Sequence, residues 1–227
     1  MRQRVPVLMP FLRGSQEVLA KKAGVEKLPH IVAQEGRLAR RRVAVVNPGF
    51  GAPAAVLTLE ETFRRGYGDF LFLGACGGLA KDLKIGDIIL PVEAISEEGT
   101  SPLYTSDGPR FKTNAAMADL LDSTAASLGT VVRRGLIWTT DAPYMETPAK
   151  IRRYRRQGAI GVEMETSALF AVASLRKARV AGLLVVSDLL HEEWIIGWNR
   201  KAFTVAEDRA LEILMKSAMS LADTQKR

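Results

Sequence analysis

Three acidic side chains stand at places in the sequence where a carboxylate could take part in chemistry. Glu163 and Glu165 flank Met164 directly before a helical pattern, and Asp188 follows the apolar segment 180–186. In an extended segment, Glu163 and Glu165 point to one side and Met164 points to the other. Carboxylates at the amino end of a helix suit hydrogen bonds from sugar hydroxyls and support a developing positive charge. The alternative is that the two glutamates only cap the helix.

Asp188 stands where a predicted strand leaves the apolar core. Partial desolvation there favours the protonated form of a carboxyl group, which suits Asp188 to deliver a proton to a leaving group near neutral pH. The alternative for Asp188 is an ordinary turn or helix cap.

Cysteine and histidine are too scarce to build a local metal site. Cys76 is the only cysteine, and the two histidines, His30 and His191, are too far apart for a motif such as HExxH. We therefore expect no disulfide and no metal, and we expect catalysis to rest mainly on carboxylates.

Two glycine-rich segments are candidates for anion binding. Gly49-Phe50-Gly51 precedes a helical pattern, and Gly74-Ala75-Cys76-Gly77-Gly78 follows an apolar run. Glycine lets backbone amides approach an anion closely, and the amino end of a helix adds positive potential. The alternative is a pair of tight turns.

Composition restricts the class of protein. Of the 227 residues, 47% are hydrophobic and 25% are charged, which is typical of a globular protein with a real core. The apolar runs are shorter than the roughly 20 residues of a membrane-spanning helix, and residues 1–20 lack the apolar stretch of a secretion signal. We expect a cytoplasmic protein with no membrane segment.

The net charge of +7 is compatible with an anionic partner. The arginines cluster in two short runs, 37–42 and 152–156, rather than alternating with aromatic side chains as in a single-strand binder. We therefore interpret both runs as solvated surface and do not expect nucleic acid to be a partner.

Short apolar segments alternate with longer helical patterns along the chain. Strands are predicted over 43–46, 70–73, 87–90, 131–137 and 180–186, and helices over 53–65, 114–128, 165–175 and 202–221. This order is typical of strand–helix units around a largely parallel sheet. The sequence therefore predicts one α/β domain over residues 1–227, with ligands at the carboxyl ends of the strands.

Six short segments, in this order and spacing, resemble the purine nucleoside and uridine phosphorylase superfamily. They are Gly49-Phe50-Gly51-Ala52-Pro53, the segments 72–79 and 85–89, Glu98-Gly99-Thr100-Ser101, Val162-Glu163-Met164-Glu165 and Val186-Ser187-Asp188. The Glu-Gly-Thr-Ser segment, with Tyr104 after it, is also similar to the branch that includes AMP nucleosidases. The resemblance implies a three-layer α/β/α fold with a central mixed, largely parallel sheet. It also implies a homo-oligomer that cleaves the C–N glycosidic bond of a nucleoside without a cofactor.

The resemblance assigns roles to the acidic side chains. Glu165 would bind the ribose 2′ and 3′ hydroxyls, Met164 would pack on the sugar, and Glu163 would assist beside it. Asp188 would protonate or hydrogen-bond the departing base. These roles agree with the chemistry, because bond cleavage gives an oxocarbenium-like sugar and a basic nitrogen leaving group.

The base side of the site is less defined. The resemblance implies that Tyr144 stacks on the base, the alternative being a buried core tyrosine, and that Gly77 lines the substrate site. Trp194 and Trp198 form a lid or pack in the core or a subunit interface. His191 is interpreted as a surface or loop residue, and the base remains open between purine and pyrimidine.

The segment that holds phosphate in the resembled phosphorylases is different here. Those enzymes commonly have an Arg two residues before the position of Gly74 and a Ser or Thr directly after it. This chain has Phe72 and Ala75 at those places. Two side chains that would bind an anion are therefore missing.

Replacement ligands for phosphate would be Arg13, in the segment 9–13, and the backbone amides of Gly49, Gly51 and Gly77. The leading hypothesis is a nucleoside phosphorylase that releases free base and ribose 1-phosphate in nucleoside salvage. The alternative is a nucleosidase that uses water on a nucleoside or nucleotide such as methylthioadenosine or AMP. A non-enzymatic nucleotide-binding module is the third hypothesis.

Overall fold

The structure, a computed structural model, describes residues 5–190 and 194–223. The strands are β1 (Val7–Pro10), β2 (Gln34–Leu38), β3 (Arg41–Val45), β4 (Asp69–Gly78), β5 (Ile88–Ser96), β6 (Arg110–Lys112), β7 (Arg133–Thr139), β8 (Ala159–Glu163), β9 (Arg179–Leu190) and β10 (Trp194–Ile196). The helices are α1 (Arg13–Ala23), α2 (Ala52–Arg64), α3 (Ser101–Tyr104), α4 (Ala115–Ser127), α5 (Pro148–Arg156), α6 (Thr166–Arg176) and α7 (Lys201–Asp223), with a 3₁₀ turn at Pro143–Met145.

The strands form one mixed sheet that closes partly on itself. Their order is β10-β9-β5-β7-β8-β4-β1-β3-β2, with β6 beside β5. Strand β4 also pairs with β9, in parallel, so that β9, β5, β7, β8 and β4 form a ring. Closure removes the exposed edges that these strands would otherwise present.

Side chains of β4 alternate between two cores, one on each face of the sheet. Phe70 and Phe72 belong to the core that includes residues of α2 and α6. Leu71 and Leu73 belong to the core that includes residues of α1, α4 and α7. Because successive strand residues point to opposite faces, one strand serves both cores. The predicted arrangement of helices on both sides of a central mixed sheet is confirmed.

The helices predicted from apolar periodicity are present within one or two residues of their predicted ends. Asn114 caps α4 as predicted, since its side-chain oxygen accepts the Met117 N–H at 3.2 Å. In residues 5–190 and 194–223 we find no helix with the length and hydropathy needed to cross a membrane.

The second glycine-rich segment is a strand and not the loop that its composition suggested. Strand β4 continues through Gly74 to Gly78. A Cβ atom on Gly77 would lie 2.2 Å from Leu190 Cδ1, and one on Gly78 would lie 2.9 Å from Leu189 Cδ2. Glycine at these positions therefore lets β9 pack closely against β4, and the alternative of a tight turn is wrong here.

Strand β9 is also longer than predicted, because it continues past Val186 to Leu190. Asp188 consequently lies inside a strand and is 8% exposed. The alternative interpretation of Asp188 as a turn or helix cap is wrong.

Candidate active site

The carboxyl end of β4 brings the predicted site segments together. Gly77 pairs with Val162 of β8 on one side and with Asp188 of β9 on the other. Both neighbours lie close to Gly77, since a Cβ atom on it would lie 3.2 Å from Val162 Cγ1 and 3.3 Å from Asp188 Oδ2. Glu163 directly follows Val162, so acidic residues stand on both sides of this strand end.

Glu165 is a buried carboxylate at the amino end of α6. Its Oε1 accepts a hydrogen bond of 2.7 Å from the backbone N–H of Gly51. Burial and the nearby charge of Glu163 raise the pKa of Glu165 to about 8. The side chain is thus held in a place where a hydrogen-bond donor from a ligand would stabilise its charge.

Glu163 faces inward and holds the turn that precedes α6. The Thr139 hydroxyl donates to Oε1 at 2.6 Å, and the N–H groups of Glu165 and Thr166 donate to Oε2 at 2.8 Å each. Burial raises the pKa of Glu163, while these donors oppose that rise. Glu163 therefore makes the helix-capping contacts of the alternative interpretation, and its assistance at a ribose stays a prediction.

Met164 is partly exposed between two buried glutamates. Strand β8 ends at Glu163 and the chain bends at Met164 and Glu165, so the extended segment on which the predicted alternation depends stops there. The contact of Met164 with a sugar stays a prediction.

Both carboxylate oxygens of Asp188 accept hydrogen bonds. The Ser187 hydroxyl donates to Oδ1 at 2.7 Å, and the Trp194 indole N–H donates to Oδ2 at 2.6 Å. Trp194 and Trp198 are about half exposed, and their rings meet edge to face at 6.4 Å. The contact of Trp194 with Asp188 has no local sequence signal, and the alternative of core packing is wrong for both tryptophans. His191 lies outside the described residues.

The segment after β7 adds an acid that the sequence analysis missed. Glu146 is half-buried, and burial together with the charges of Asp188 and Glu97 raises its pKa to about 7. Tyr144, on the same segment, is 93% exposed. The alternative of a buried core tyrosine is therefore wrong, and stacking of Tyr144 on a base stays a prediction.

The loop at Gly49-Phe50-Gly51 uses its amides within the protein. The Gly49 N–H donates to Asn47 Oδ1 at 3.0 Å, and the Gly51 N–H binds Glu165. Gln16 Nε2 also donates to Asn47 Oδ1, at 3.2 Å, which links the loop to α1. Phosphate binding by these amides stays a prediction that requires them to exchange partners.

Phe72, in place of the phosphorylase arginine, is a core residue. It is 1% exposed and packs against Phe11 and Phe170, with ring centroids 6.4 and 6.3 Å away. Arg13, the predicted replacement, begins α1 with a side chain that is 92% exposed and pairs with Glu17 at 3.1 Å. Its binding of phosphate stays a prediction.

Arg155 departs from the interpretation of residues 152–156 as solvated surface. Its guanidinium donates to the carbonyl of Leu79 at 2.5 Å and to the carbonyl of Leu190 at 2.7 Å. Arg155 therefore ties the chain just beyond β4 to the end of β9, beside Gly77 and Asp188.

Cys76 lies buried between the two acidic sides of the site. Burial, followed by the charges of Asp188 and Glu163, raises the pKa of its thiol well above the ordinary value. Cys76 is therefore not a thiolate nucleophile. Across the described ranges, no group of three His, Cys, Asp or Glu side chains is placed to hold a metal ion.

The arrangement of strands and helices is the fold of the purine nucleoside phosphorylases. The structure of purine nucleoside phosphorylase from Toxoplasma gondii in complex with immucillin-H superposes with a TM-score of 0.84. The superposition covers 98% of this chain and 93% of the other, at 21% sequence identity.

The sequence places the chain in the same family. The model of the phosphorylase superfamily matches residues 13–218, so the chain belongs to that superfamily. It is 31% identical to a guanosine phosphorylase of Halorubrum lacusprofundi over 147 residues, which are 64% of this chain and 60% of that protein. It is 30% identical to a DeoD-type purine nucleoside phosphorylase of Shewanella frigidimarina over 157 residues, 65% of this chain and 64% of that protein. The chain thus spans somewhat less than two thirds of the length of these relatives.

Proposed function

We propose that this protein is an enzyme that cleaves purine nucleosides by phosphorolysis, giving free base and ribose 1-phosphate. The observation that carries the proposal is the pairing of Gly77 with both Val162 and Asp188, which sets acidic residues on either side of one strand end. A nucleoside needs two such groups, one for the sugar and one for the base. The names of the relatives, guanosine phosphorylase and purine nucleoside phosphorylase, support phosphate as nucleophile and a purine as base.

On the sugar side, Glu165 would accept the ribose hydroxyls. Its Oε1 is already held by Gly51, so the side chain is oriented before the substrate binds. Met164 would pack on the sugar, and Glu163 would support Glu165 from behind. Hydrogen bonds from the ribose hydroxyls would favour the ionised form of Glu165, whose pKa is raised in the free protein, and its charge would then stabilise a positive charge that develops on the sugar ring.

On the base side, Asp188 would act on the leaving group. The electron pair of the C–N bond moves to the base nitrogen, and Asp188 supplies a proton or a hydrogen bond to the base as phosphate oxygen bonds to C1′. Both oxygens of Asp188 act as acceptors, so proton transfer requires that Asp188 first take up a proton and that Oδ1 exchange Ser187 for the base, while Trp194 stays on Oδ2. Tyr144 would stack on the base, and Gly77 would line the site.

Phosphate would bind near the Gly49-Phe50-Gly51 loop, with Arg13 as its cationic ligand. Arg13 begins α1, and α1 contacts this loop through Gln16 and Asn47. The exposed pair of Arg13 with Glu17 costs little to break, since such surface pairs contribute about 0–1 kcal/mol. Phosphate could then compete for the guanidinium.

We propose a cytoplasmic homo-oligomer that needs neither metal nor organic cofactor and does not act on nucleic acid. A single, buried cysteine is compatible with a reducing compartment. Phe50 and Leu57, which are exposed on the first glycine-rich loop and on α2, are the first candidates for a contact between subunits. Light scattering of the purified protein measures the assembly.

The test is release of free base from adenosine, inosine, guanosine, uridine, methylthioadenosine and AMP, with and without inorganic phosphate. We expect release from a purine nucleoside that requires phosphate and yields ribose 1-phosphate. Equal release without phosphate, with free ribose as product, would identify a nucleosidase instead. No release from any substrate would favour a binding module.

Two substitutions connect the activity to the site. Asp188→Asn and Glu165→Ala are expected to lower the rate on the order of 10²-fold or more. Asp208→Asn, on the exposed side of α7, is the matched control and should leave the rate unchanged. If turnover survives both site substitutions, the site is assigned to the wrong residues.

A further inference from the structure

Glu98 is a buried carboxylate for which the proposed reaction has no direct use. It is 2% exposed in the turn after β5. It accepts hydrogen bonds from the Ser96 hydroxyl at 2.7 Å, the Thr100 N–H at 2.6 Å and the Ser101 N–H at 3.0 Å, and also from the Ser101 hydroxyl. Burial alone would raise the pKa of Glu98, but these donors lower it below the ordinary value. Glu98 is therefore an ionised group inside the protein.

One further donor connects Glu98 to the site. The hydroxyl of Ser167, in the first turn of α6, donates to Glu98 Oε1 at 3.0 Å. The backbone N–H of the same residue donates to Thr139 Oγ1 at 3.0 Å. Ser167 thus contacts the Glu98 turn and the end of β7 at once.

Thr139 links Ser167 to Glu163 through two hydrogen bonds. A hydroxyl has one proton, and because Thr139 Oγ1 accepts the Ser167 N–H, its own proton is free to point at Glu163 Oε1, 2.6 Å away. Glu163 Oε2 in turn accepts the N–H of Glu165. Four buried hydrogen bonds, joined through Ser167 itself and through the Glu163 carboxylate, therefore connect Glu98 to the backbone of Glu165.

We propose that Glu98 is a positioning residue: through Ser167 and Thr139 it fixes the carboxylate of Glu163, and thereby the turn that presents Glu165 to substrate. Its effect on catalysis rests on the proposed function. Its effect on the geometry of the turn does not.

The hydrogen bonds separate this role from that of a simple anchor for the turn. Ser96, Thr100 and Ser101 lie within three residues of Glu98 and are enough to hold the turn. The bond from Ser167 spans 69 positions and reaches another element. A charged acceptor makes this bond stronger than one between neutral groups, which suits it to hold the first turn of α6.

The decisive comparison is Ser167→Ala against Ser96→Ala. Both remove a hydroxyl that donates to Glu98 Oε1, but only Ser167 belongs to the chain that reaches Glu163. We expect Ser167→Ala to lower kcat by about 10- to 100-fold with a smaller change in KM, because a misplaced catalytic group lowers the reaction rate by factors of this size. Ser96→Ala should change kcat less than about 3-fold, even where its loss of thermal stability is similar. Equal effects of the two variants on kcat would overturn the proposal.

Thr139 supplies a second comparison in case a variant at Ser167 folds poorly. Thr139→Val removes the hydroxyl at nearly constant shape and should lower kcat as Ser167→Ala does. Thr139→Ser keeps the hydroxyl and should therefore retain most of the wild-type kcat. Because both residues act through one chain, the double variant Ser167→Ala/Thr139→Val should be no slower than the slower single variant. Multiplied effects would overturn the proposal.

Amide hydrogen exchange tests the same chain without substrate. Ser167→Ala and Thr139→Val should speed exchange in a peptide covering residues 163–168 about 10-fold or more, while Ser96→Ala should not. If the wild-type protein cleaved no nucleoside, the proposed function would be wrong, but the exchange experiment would still test the positioning role of Glu98. Unchanged exchange in that peptide would overturn the positioning role whatever the activity.

Discussion

The backbone N–H of Gly51 lies 2.7 Å from Glu165 Oε1, although 114 positions of sequence separate the two residues. The first glycine-rich loop therefore holds the carboxylate expected to bind the sugar. Gly51 has φ of 83° and ψ of 161°, a backbone conformation that is essentially restricted to glycine. A glycine at position 51 is thus needed both to form the turn and to place the backbone N–H that binds Glu165.

Gly51→Ala is expected to cost about 1–3 kcal/mol of folding free energy, because alanine is strained in this conformation. It should also lower the rate of nucleoside cleavage on the order of 10²-fold, since a shifted amide releases Glu165. Urea unfolding and initial rates measure the two effects. Gly129→Ala is the control: Gly129 has φ of 65°, and a Cβ added there would meet nothing within 4 Å. A similar loss of rate in both variants would show that strain alone, and not the bond to Glu165, is responsible.

Trp194→Phe keeps an aromatic ring but removes the donor to Asp188 Oδ2. A hydrogen bond to a charged group contributes about 1.5–3 kcal/mol, so we expect cleavage to slow by about 10- to 100-fold as Asp188 loses its orientation. Trp198→Phe changes the neighbouring ring, which does not donate to Asp188, and should keep nearly the full rate. Steady-state rates of the two variants with the same nucleoside make the comparison. Equal rates would mean that the indole N–H has no part in orienting Asp188.

The raised pKa of Glu165 predicts a pH dependence of stability. Burial and the charge of Glu163 raise this pKa from 4.5 to about 8. Below pH 4.5 the carboxyl is protonated in both folded and unfolded chains, and its contribution to stability is fully present. Between pH 4.5 and about 8 only the unfolded chain releases the proton, so this contribution is lost as the pH rises, by at most about 1.4 kcal/mol per pH unit.

Urea unfolding of wild type and Glu165→Gln at pH 5 and pH 8 measures this contribution. The free energy of unfolding of wild type, relative to Glu165→Gln, should be smaller at pH 8 than at pH 5. Glu17→Gln, at an exposed carboxylate, is the control for the effect of the substitution itself. A wild-type advantage that grows with pH would contradict the raised pKa.

Arg13→Ala tests the predicted cation of the phosphate site. If Arg13 exchanges Glu17 for phosphate, KM for phosphate should rise by about 10- to 100-fold, the range for a lost hydrogen bond to a charged group. KM for the nucleoside should change little. Lys21→Ala, in the last turn of the same helix, removes an exposed cation and serves as control. An unchanged KM for phosphate would exclude Arg13 as its ligand.

Much of the fold could be predicted from local patterns. Periodic apolar residues indicated α4 and α7, and Asn114 marked the start of α4 because a side-chain cap is a contact between near neighbours. The glycines of β4 misled the prediction. Glycine is typical of turns, and only the close approach of Leu189 and Leu190 reveals that it serves strand packing here.

The features of the candidate site also divide into those that the sequence could predict and those that only the structure reveals. Glu163, Glu165 and Asp188 could be found because acids beside apolar segments stand out in one dimension. Residue types and spacing thus determined the α/β class, the family resemblance and the acidic groups of the site. Only the tertiary structure decided that Gly51 holds Glu165 and that Trp194 holds Asp188. It also decided that Glu98 connects to Glu163 through Ser167 and Thr139. The physical reason is that such hydrogen bonds depend on which strands pair and in which register. Even Trp194 and Asp188, which are near in sequence, meet only because β10 folds back on β9.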